Sequence, residues 1–283
     1  MQRVIDLNHP DYTKKATVYF NPEKPVQAAV LYFHGGGLLY GQREDLPEAH
    51  IDAFTGAGLA IIAFDYPLAP AADLDMILTD VRDSANTYIQ HPEMFGLKKN
   101  LPYFLWGRSA GAYLALMTAA SADLAAPPAG ILSYYGYGFL TDRWDTDPSP
   151  YYLSLPQVSK DAFDAVPQGI HADGPMATHY SLYVYARQTG AWRRLIYKGR
   201  DKFFYLNDSL RQTDQLPAPL FAAHAIADPD VPFAEFTALC SQYHPERFVA
   251  AGNVHDFDRE TGTPAAKDVL KKSLAFIENC LKA

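Results

Sequence analysis

Ser109 stands in the pattern Gly107-x-Ser109-x-Gly111, where the apolar run Tyr103-Phe104-Leu105-Trp106 meets the alanine-rich run Ala112–Met117. A strand, a sharp turn and a helix in that order push a serine hydroxyl out from the top of a sheet, where it can attack a carbonyl. The glycines suit such a turn, because a Cβ at either one would collide with the neighbouring strand or helix. The pattern alone is common in a chain with 18 glycines, so its setting gives it weight. A second piece is His34-Gly35-Gly36-Gly37, after the apolar run Val30–Phe33. Consecutive glycines leave the backbone free to turn N–H groups inward. Acyl transfer needs such donors where the carbonyl oxygen becomes an oxyanion. His34 itself reads as a structural loop residue.

A serine nucleophile needs a base, and the base needs an acid to orient it. Histidine suits the first role, since its ordinary pKa near 6.5 lets it take and return a proton at neutral pH. Of the nine histidines, His255 lies after an apparent last strand, within Gly252-Asn253-Val254-His255-Asp256-Phe257. His244 sits beside Pro245 and reads as a helix end. His9, His50, His91, His171 and His179 precede the acid and fit the order badly. For the acid, Leu220–His224 reads as a strand running into Ala225-Ile226-Ala227-Asp228-Pro229-Asp230-Val231-Pro232. Asp228 therefore falls just past a strand end, where open parallel sheets gather functional groups. Asp230 is its rival, and Asp228 is favoured. His224 is expected to support the acid loop. The order is then Ser109, Asp228, His255.

The elements that must position these residues alternate between strand and helix. That rhythm predicts an α/β chain with a mostly parallel sheet covered on both faces. Strands are expected at Thr17–Phe20, Ala28–Phe33, Leu59–Phe64, Ile131–Tyr135 and Arg247–Ala250. Leu74, Ile77, Leu78, Val81, Ala85, Tyr88 and Ile89 recur at helical spacing. Pro232 opens a helical run, Phe233–Tyr243, at a favoured first position. The C-terminal run from about Pro264 to Leu281 reads as a helix. Residues 138–215 break the rhythm, being longer than a crossover helix requires. They carry Trp144, Tyr152, Tyr183, Trp192 and further aromatics. The expected organisation is a core of residues 1–137 and 216–283, with 138–215 inserted as a cap or lid over a modest apolar pocket.

Composition narrows the function classes. The chain has 283 residues, enough to bury a large core without metal or disulfide staples. A net charge of −8 with no basic stripe argues against nucleic acid and anionic membranes as partners. The two cysteines, Cys240 and Cys280, have no metal-ligand spacing and fit a reducing compartment. No apolar run approaches a membrane span, and the N-terminus lacks a signal-like apolar stretch, so the cytoplasm is the expected location. No cofactor or metal is expected. A homodimer is left open.

Together these motifs resemble the α/β-hydrolase superfamily, within it the HGGG-bearing carboxylesterase/lipase branch related to hormone-sensitive lipase. Asp65-Tyr66-Pro67-Leu68-Ala69-Pro70 is similar to that branch's DYRLAPE segment, with Pro67 in place of arginine and Ala71 in place of glutamate. His224-x-x-x-Asp228-x-x-Val231-Pro232 is similar to its acid loop, with Ala225 in place of glycine. The resemblance implies an α/β-hydrolase fold with Ser109 as nucleophile, Asp228 as acid and His255 as base. It implies backbone N–H groups of Gly36, Gly37 and Ala110 as oxyanion donors. With the first strand read near Val18 or earlier, no counterpart of the branch's N-terminal cap helices is expected ahead of it. The expected activity is hydrolysis of a small-molecule carboxylic ester with a short or aromatic acyl group, through an acyl-enzyme. An amide hydrolase (an arylformamidase or an oligopeptidase-like enzyme) and a non-catalytic small-molecule receptor are the alternatives.

Overall fold

The computed structural model describes residues 1–7 and 9–283. Among the described residues, eight strands form one sheet: β1 (Gln2–Asp6), β2 (Lys15–Tyr19), β3 (Ala28–Phe33), β4 (Leu59–Phe64), β5 (Tyr103–Arg108), β6 (Gly130–Tyr134), β7 (Leu220–Ala225) and β8 (Glu246–Ala250). Their spatial order is β1-β2-β4-β3-β5-β6-β7-β8. β1 and β2 run antiparallel, as do β2 and β4, and every other pairing is parallel. The helices are α1 (Glu48–Gly56), α2 (Leu74–Gln90), α3 (Ala110–Ala120), α4 (Pro150–Leu153), α5 (Met176–Thr189), α6 (Trp192–Ile196), α7 (Asp201–Asn207), α8 (Phe233–Tyr243) and α9 (Pro264–Lys282).

β3 and β4 are apolar at every position because helices cover both faces of the sheet. Alternate residues divide the core in two. Leu31, Phe33, Ile62, Phe64 and Leu105 pack with α2, α3 and much of the 138–215 segment. Val30, Tyr32, Ile61, Ala63, Phe104 and Trp106 face the other way, toward α1 and α9. There the Trp106 ring stacks on Phe54 with centroids 4.7 Å apart. Asp73 starts α2 by accepting from the Met76 N–H, and Thr263 starts α9 by accepting from Ala266. Phe33 pairs with Gly107, and Arg108 with Tyr134. This register brings the carboxyl ends of β3, β5 and β6 together, so the loops leaving them meet at one edge.

Several boundaries differ from the sequence reading. β1 was not anticipated. The strand expected at Thr17–Phe20 runs Lys15–Tyr19, because its partner β4 sets the pairing from Ala16 opposite Phe64. Pro232 is the extended residue that caps α8 rather than its first helical residue. Segment 138–215 consists of α4 to α7 with short 3₁₀ turns. Fully buried Glu235 of α8 accepts from the backbone N–H groups of Gly138 (3.0 Å), Phe139 (2.9 Å) and Thr141, which ties the start of the segment down. Trp144, Tyr152, Trp192 and Phe204 lie in the core with the sheet residues, not on its surface.

Candidate active site

Ser109 follows β5 with φ 53° and ψ −120°, a conformation that costs a residue with a Cβ on the order of 1–3 kcal/mol. Its surroundings hold it there. The Ser109 N–H donates to the Tyr134 carbonyl at 2.9 Å, and its own carbonyl accepts from Ala112 N–H. A Cβ at Gly107 would overlap the Gly111 carbonyl, and one at Gly111 would overlap the Phe33 carbonyl. The turn therefore closes only because both positions are glycine.

The Ser109 hydroxyl lies 2.8 Å from Nε2 of His255, and Nδ1 of that imidazole lies 2.7 Å from Oδ2 of Asp228. In the neutral imidazole, Nδ1–H donates to Asp228 and Nε2 accepts from the serine. Oδ1 of Asp228 accepts from the N–H groups of Asp230 (2.8 Å) and Val231 (3.0 Å). His224 Nε2 lies 3.3 Å from Asp228 Oδ2 and 3.0 Å from the Val231 carbonyl, beside the acid loop as its place in the sequence suggested. Burial pushes the Asp228 carboxyl up, but His255, then His224 and the backbone donor outweigh it and hold it below its ordinary range. Burial likewise pulls the His255 imidazolium down. Asp228, then Asp230 and Asp256, outweigh that and raise it to about 9.

Asp230 occupies a different place from Asp228. Tyr183 donates its hydroxyl to both Asp230 oxygens at 2.9 Å, and Arg187 Nε lies 3.3 Å from Oδ1. Oδ2 of Asp230 lies 3.9 Å from Nε2 of His255. The imidazole thus has a carboxylate bonded to Nδ1 and a second one near Nε2. Nothing in the sequence pattern marked Asp230 for that position, since Tyr183 and Arg187 come from α5.

The glycine loop can be read from its peptide planes, in which C=O and N–H point opposite ways. The Gly35 carbonyl is held by His34 Nδ1 (2.8 Å) and the Tyr66 hydroxyl (3.3 Å), which leaves the Gly36 N–H facing away from them. The Gly36 carbonyl accepts from Leu39 and Tyr40, which turns the Gly37 N–H away from those residues. Trp192 donates its indole N–H to the Gly37 carbonyl at 2.7 Å. Ala110 is the first residue of α3, so its N–H has no acceptor within the helix. Gly36, Gly37 and Ser109 border one cleft of about 240 Å³, with Tyr40, Tyr183 and Met176 beside them and the charged Asp45, Arg108, Asp256 and Arg259 on its wall, so it is more polar than the sequence suggests. Tyr183 and Met176 are the contributions of segment 138–215 to that cleft.

Among the described residues, no group of three or more His, Cys, Asp or Glu side chains is placed to hold a metal ion. None of their helices is long and apolar enough to cross a membrane.

The sequence model of a family described as "alpha/beta hydrolase fold" matches residues 30–189. The chain is 31% identical over 106 residues to the kynurenine formamidase of Danio rerio, covering 37% of this chain and 34% of that one. It is 29% identical over 108 residues to the acetyl esterase of Salmonella paratyphi B, covering 38% and 33%. The chain thus spans about a third of the length of the curated relatives it matches. A solved structure from Staphylococcus aureus, of unknown function, superimposes with a TM-score of 0.82 at 26% identity, covering 99% of both chains.

Proposed function

The chain belongs to the α/β-hydrolase fold family, in its hormone-sensitive-lipase-like carboxylesterase/lipase branch, and from that premise we propose that it is a serine hydrolase of small carboxylic esters. The observation that carries the reading is the continuous hydrogen-bonded chain Ser109–His255–Asp228 beside the glycine loop. Ser109 attacks the ester carbonyl while Nε2 of His255 takes its proton. Asp228 holds the imidazole with its other proton on Nδ1 and stabilises the imidazolium that forms. The N–H groups of Gly36, Gly37 and Ala110 receive the oxyanion, a contribution of about 3–4 kcal/mol per donor in a serine protease. The alcohol leaves with the proton returned by His255. Water, activated by the same nitrogen, then cleaves the acyl-enzyme and frees Ser109. Segment 138–215 acts as the cap, with Tyr183 and Met176 as the part that faces substrate. The small cleft supports short or aromatic acyl groups.

A second reading is hydrolysis of an aryl formamide, supported by the match to the zebrafish kynurenine formamidase. The proposed serine, base and oxyanion donors serve an amide as well as an ester. Side-by-side turnover of p-nitrophenyl acetate, butyrate and octanoate with N-formylkynurenine separates the two. Ester hydrolysis predicts the highest kcat/KM on acetate or butyrate and a steep fall at octanoate. A higher value on N-formylkynurenine would move the assignment to the amide. No turnover of any of them would overturn both.

A further inference from the structure

Beside the imidazole of His255 lies a largely buried polar cluster that the proposed reaction does not use, although Arg108, Tyr135 and Asp45 also border the cleft. Arg108 directly precedes Ser109, and Asp258 follows His255 by three residues. Both side chains are 2% exposed or less. Arg108 Nη2 lies 3.1 Å from Asp258 Oδ1. The Tyr135 hydroxyl joins them: it accepts from Arg108 Nε at 2.7 Å and donates to Asp258 Oδ1 at 2.7 Å. His50 Nε2 faces the other Asp258 oxygen at 3.1 Å, and Asp45 Oδ2 faces Arg108 Nη1 at 3.5 Å. The Tyr135 ring then packs against His255, with centroids 4.7 Å apart and planes inclined at 61°.

A buried ion pair is a poor device for stability, because desolvation cancels most of its attraction. Well-packed apolar side chains often fill such a space without loss of stability. What the pair supplies is a directional tie between two chain segments 150 residues apart, the one carrying Ser109 and the one carrying His255. Tyr135 has φ 40°, so its ring is held in place by its contacts rather than by a relaxed backbone. Burial raises the Asp258 carboxyl, but Arg108, His50 and the Tyr135 hydroxyl outweigh it and hold it far below its ordinary range. The pair is therefore charged.

We propose that Arg108 and Asp258 are positioning residues, which through Tyr135 hold the imidazole of His255 in reach of the Ser109 hydroxyl. This rests on the reading of Ser109 and His255 as nucleophile and base. A shift of about 1 Å in such a pair costs about 100-fold in rate, so the effect falls on kcat.

Three variants test it. Arg108→Met with Asp258→Asn removes both charges together and leaves no unpaired buried ion. Arg108→Lys keeps the charge but loses the planar fork. Tyr135→Phe removes only the hydroxyl and leaves the ring in place. On p-nitrophenyl acetate, the double variant is expected to lose about 30- to 100-fold in kcat with KM within about threefold and an unchanged melting temperature. Arg108→Lys falls between it and the wild type, and Tyr135→Phe loses about five- to tenfold. Wild-type kcat, within about twofold, in both a folded double variant and Tyr135→Phe overturns the proposal. Should the double variant not fold, Tyr135→Phe decides alone. Should the wild type hydrolyse nothing, the hydrolase reading fails separately. The far-downfield proton resonance of the His255 Nδ1–H bonded to Asp228 then decides: broadening in Tyr135→Phe upholds the positioning role, and an unchanged resonance overturns it.

Discussion

Replacing Asp230 by asparagine isolates one charge beside the reacting nitrogen. Oδ2 of Asp230 lies 3.9 Å from Nε2 of His255. Two unit charges at that distance interact by about 4 kcal/mol at an effective dielectric constant of ~20. Arg187 and Tyr183 share the carboxylate, so only part of that reaches the imidazole. A net effect of about 1.4 kcal/mol corresponds to one pKa unit. Asparagine still offers an oxygen to Tyr183. Arg187 keeps its bonds to the carbonyls of Trp144 (2.8 Å) and Asp230 (2.9 Å) but, 3% exposed, loses its carboxylate partner, so a stability loss of about 3–5 kcal/mol is expected and the kinetics are read on the folded variant. His255 must be neutral to accept the Ser109 proton, and its imidazolium titrates at about 9. In the wild type, kcat/KM for p-nitrophenyl acetate therefore rises with pH and levels off above about 9. In Asp230→Asn the rising limb moves about one unit lower, with several-fold higher activity at pH 7. The stability linkage has the opposite sense. His255 is raised above its ordinary 6.5, so its protonation stabilises the fold fully below that pH, and the contribution is lost as pH rises through about 9. A limb that stays in place, or moves upward, in the folded variant would refute the electrostatic argument.

Other perturbations separate the remaining contributions. Gly37→Ala sets a Cβ against the Tyr183 ring at φ +59°, which displaces a proposed oxyanion donor; kcat is expected to fall about 10²- to 10³-fold in steady-state assays, with a small change in KM. Asp228→Asn removes the acceptor that selects the imidazole tautomer, and kcat is expected to drop about 10⁴-fold with the circular dichroism spectrum unchanged. Trp106→Ala opens a cavity beside Phe54 and Tyr134, and urea unfolding is expected to show a loss of about 3–5 kcal/mol with activity per folded molecule retained.

How much of this was legible in the chain depends on how local each signal is. The turn at Ser109 is encoded within five residues, because two glycines and the strand and helix beside them act on one another directly. The span Leu59–Phe64 was read to the residue, since an all-apolar strand is bounded sharply by its turns. α2 was equally clear, as its buried face repeats at three- and four-residue steps. β1 escaped because Gln2–Asp6 is a largely exposed strand with no apolar alternation to betray it. Its pairing with β2 makes it a strand. The short helices of 138–215 escaped for a related reason: α4 has four residues, too few to show a period. Asp230 was visible as an aspartate near the acid, but its surroundings come from α5, more than forty residues away in sequence. Arg108, Tyr135 and Asp258 gave no signal at all. Buried charges break the apolar pattern, and their partners are settled only by the tertiary structure.

The central claim is that the Ser109 hydroxyl is the nucleophile. Its most direct test is to titrate the protein with a fluorophosphonate, following p-nitrophenyl acetate turnover and mapping the adduct by peptide mass spectrometry. The account predicts one adduct per chain, on Ser109, with activity lost in step with labelling and neither labelling nor turnover in Ser109→Ala. An adduct on another residue, or turnover that persists in Ser109→Ala, would contradict it.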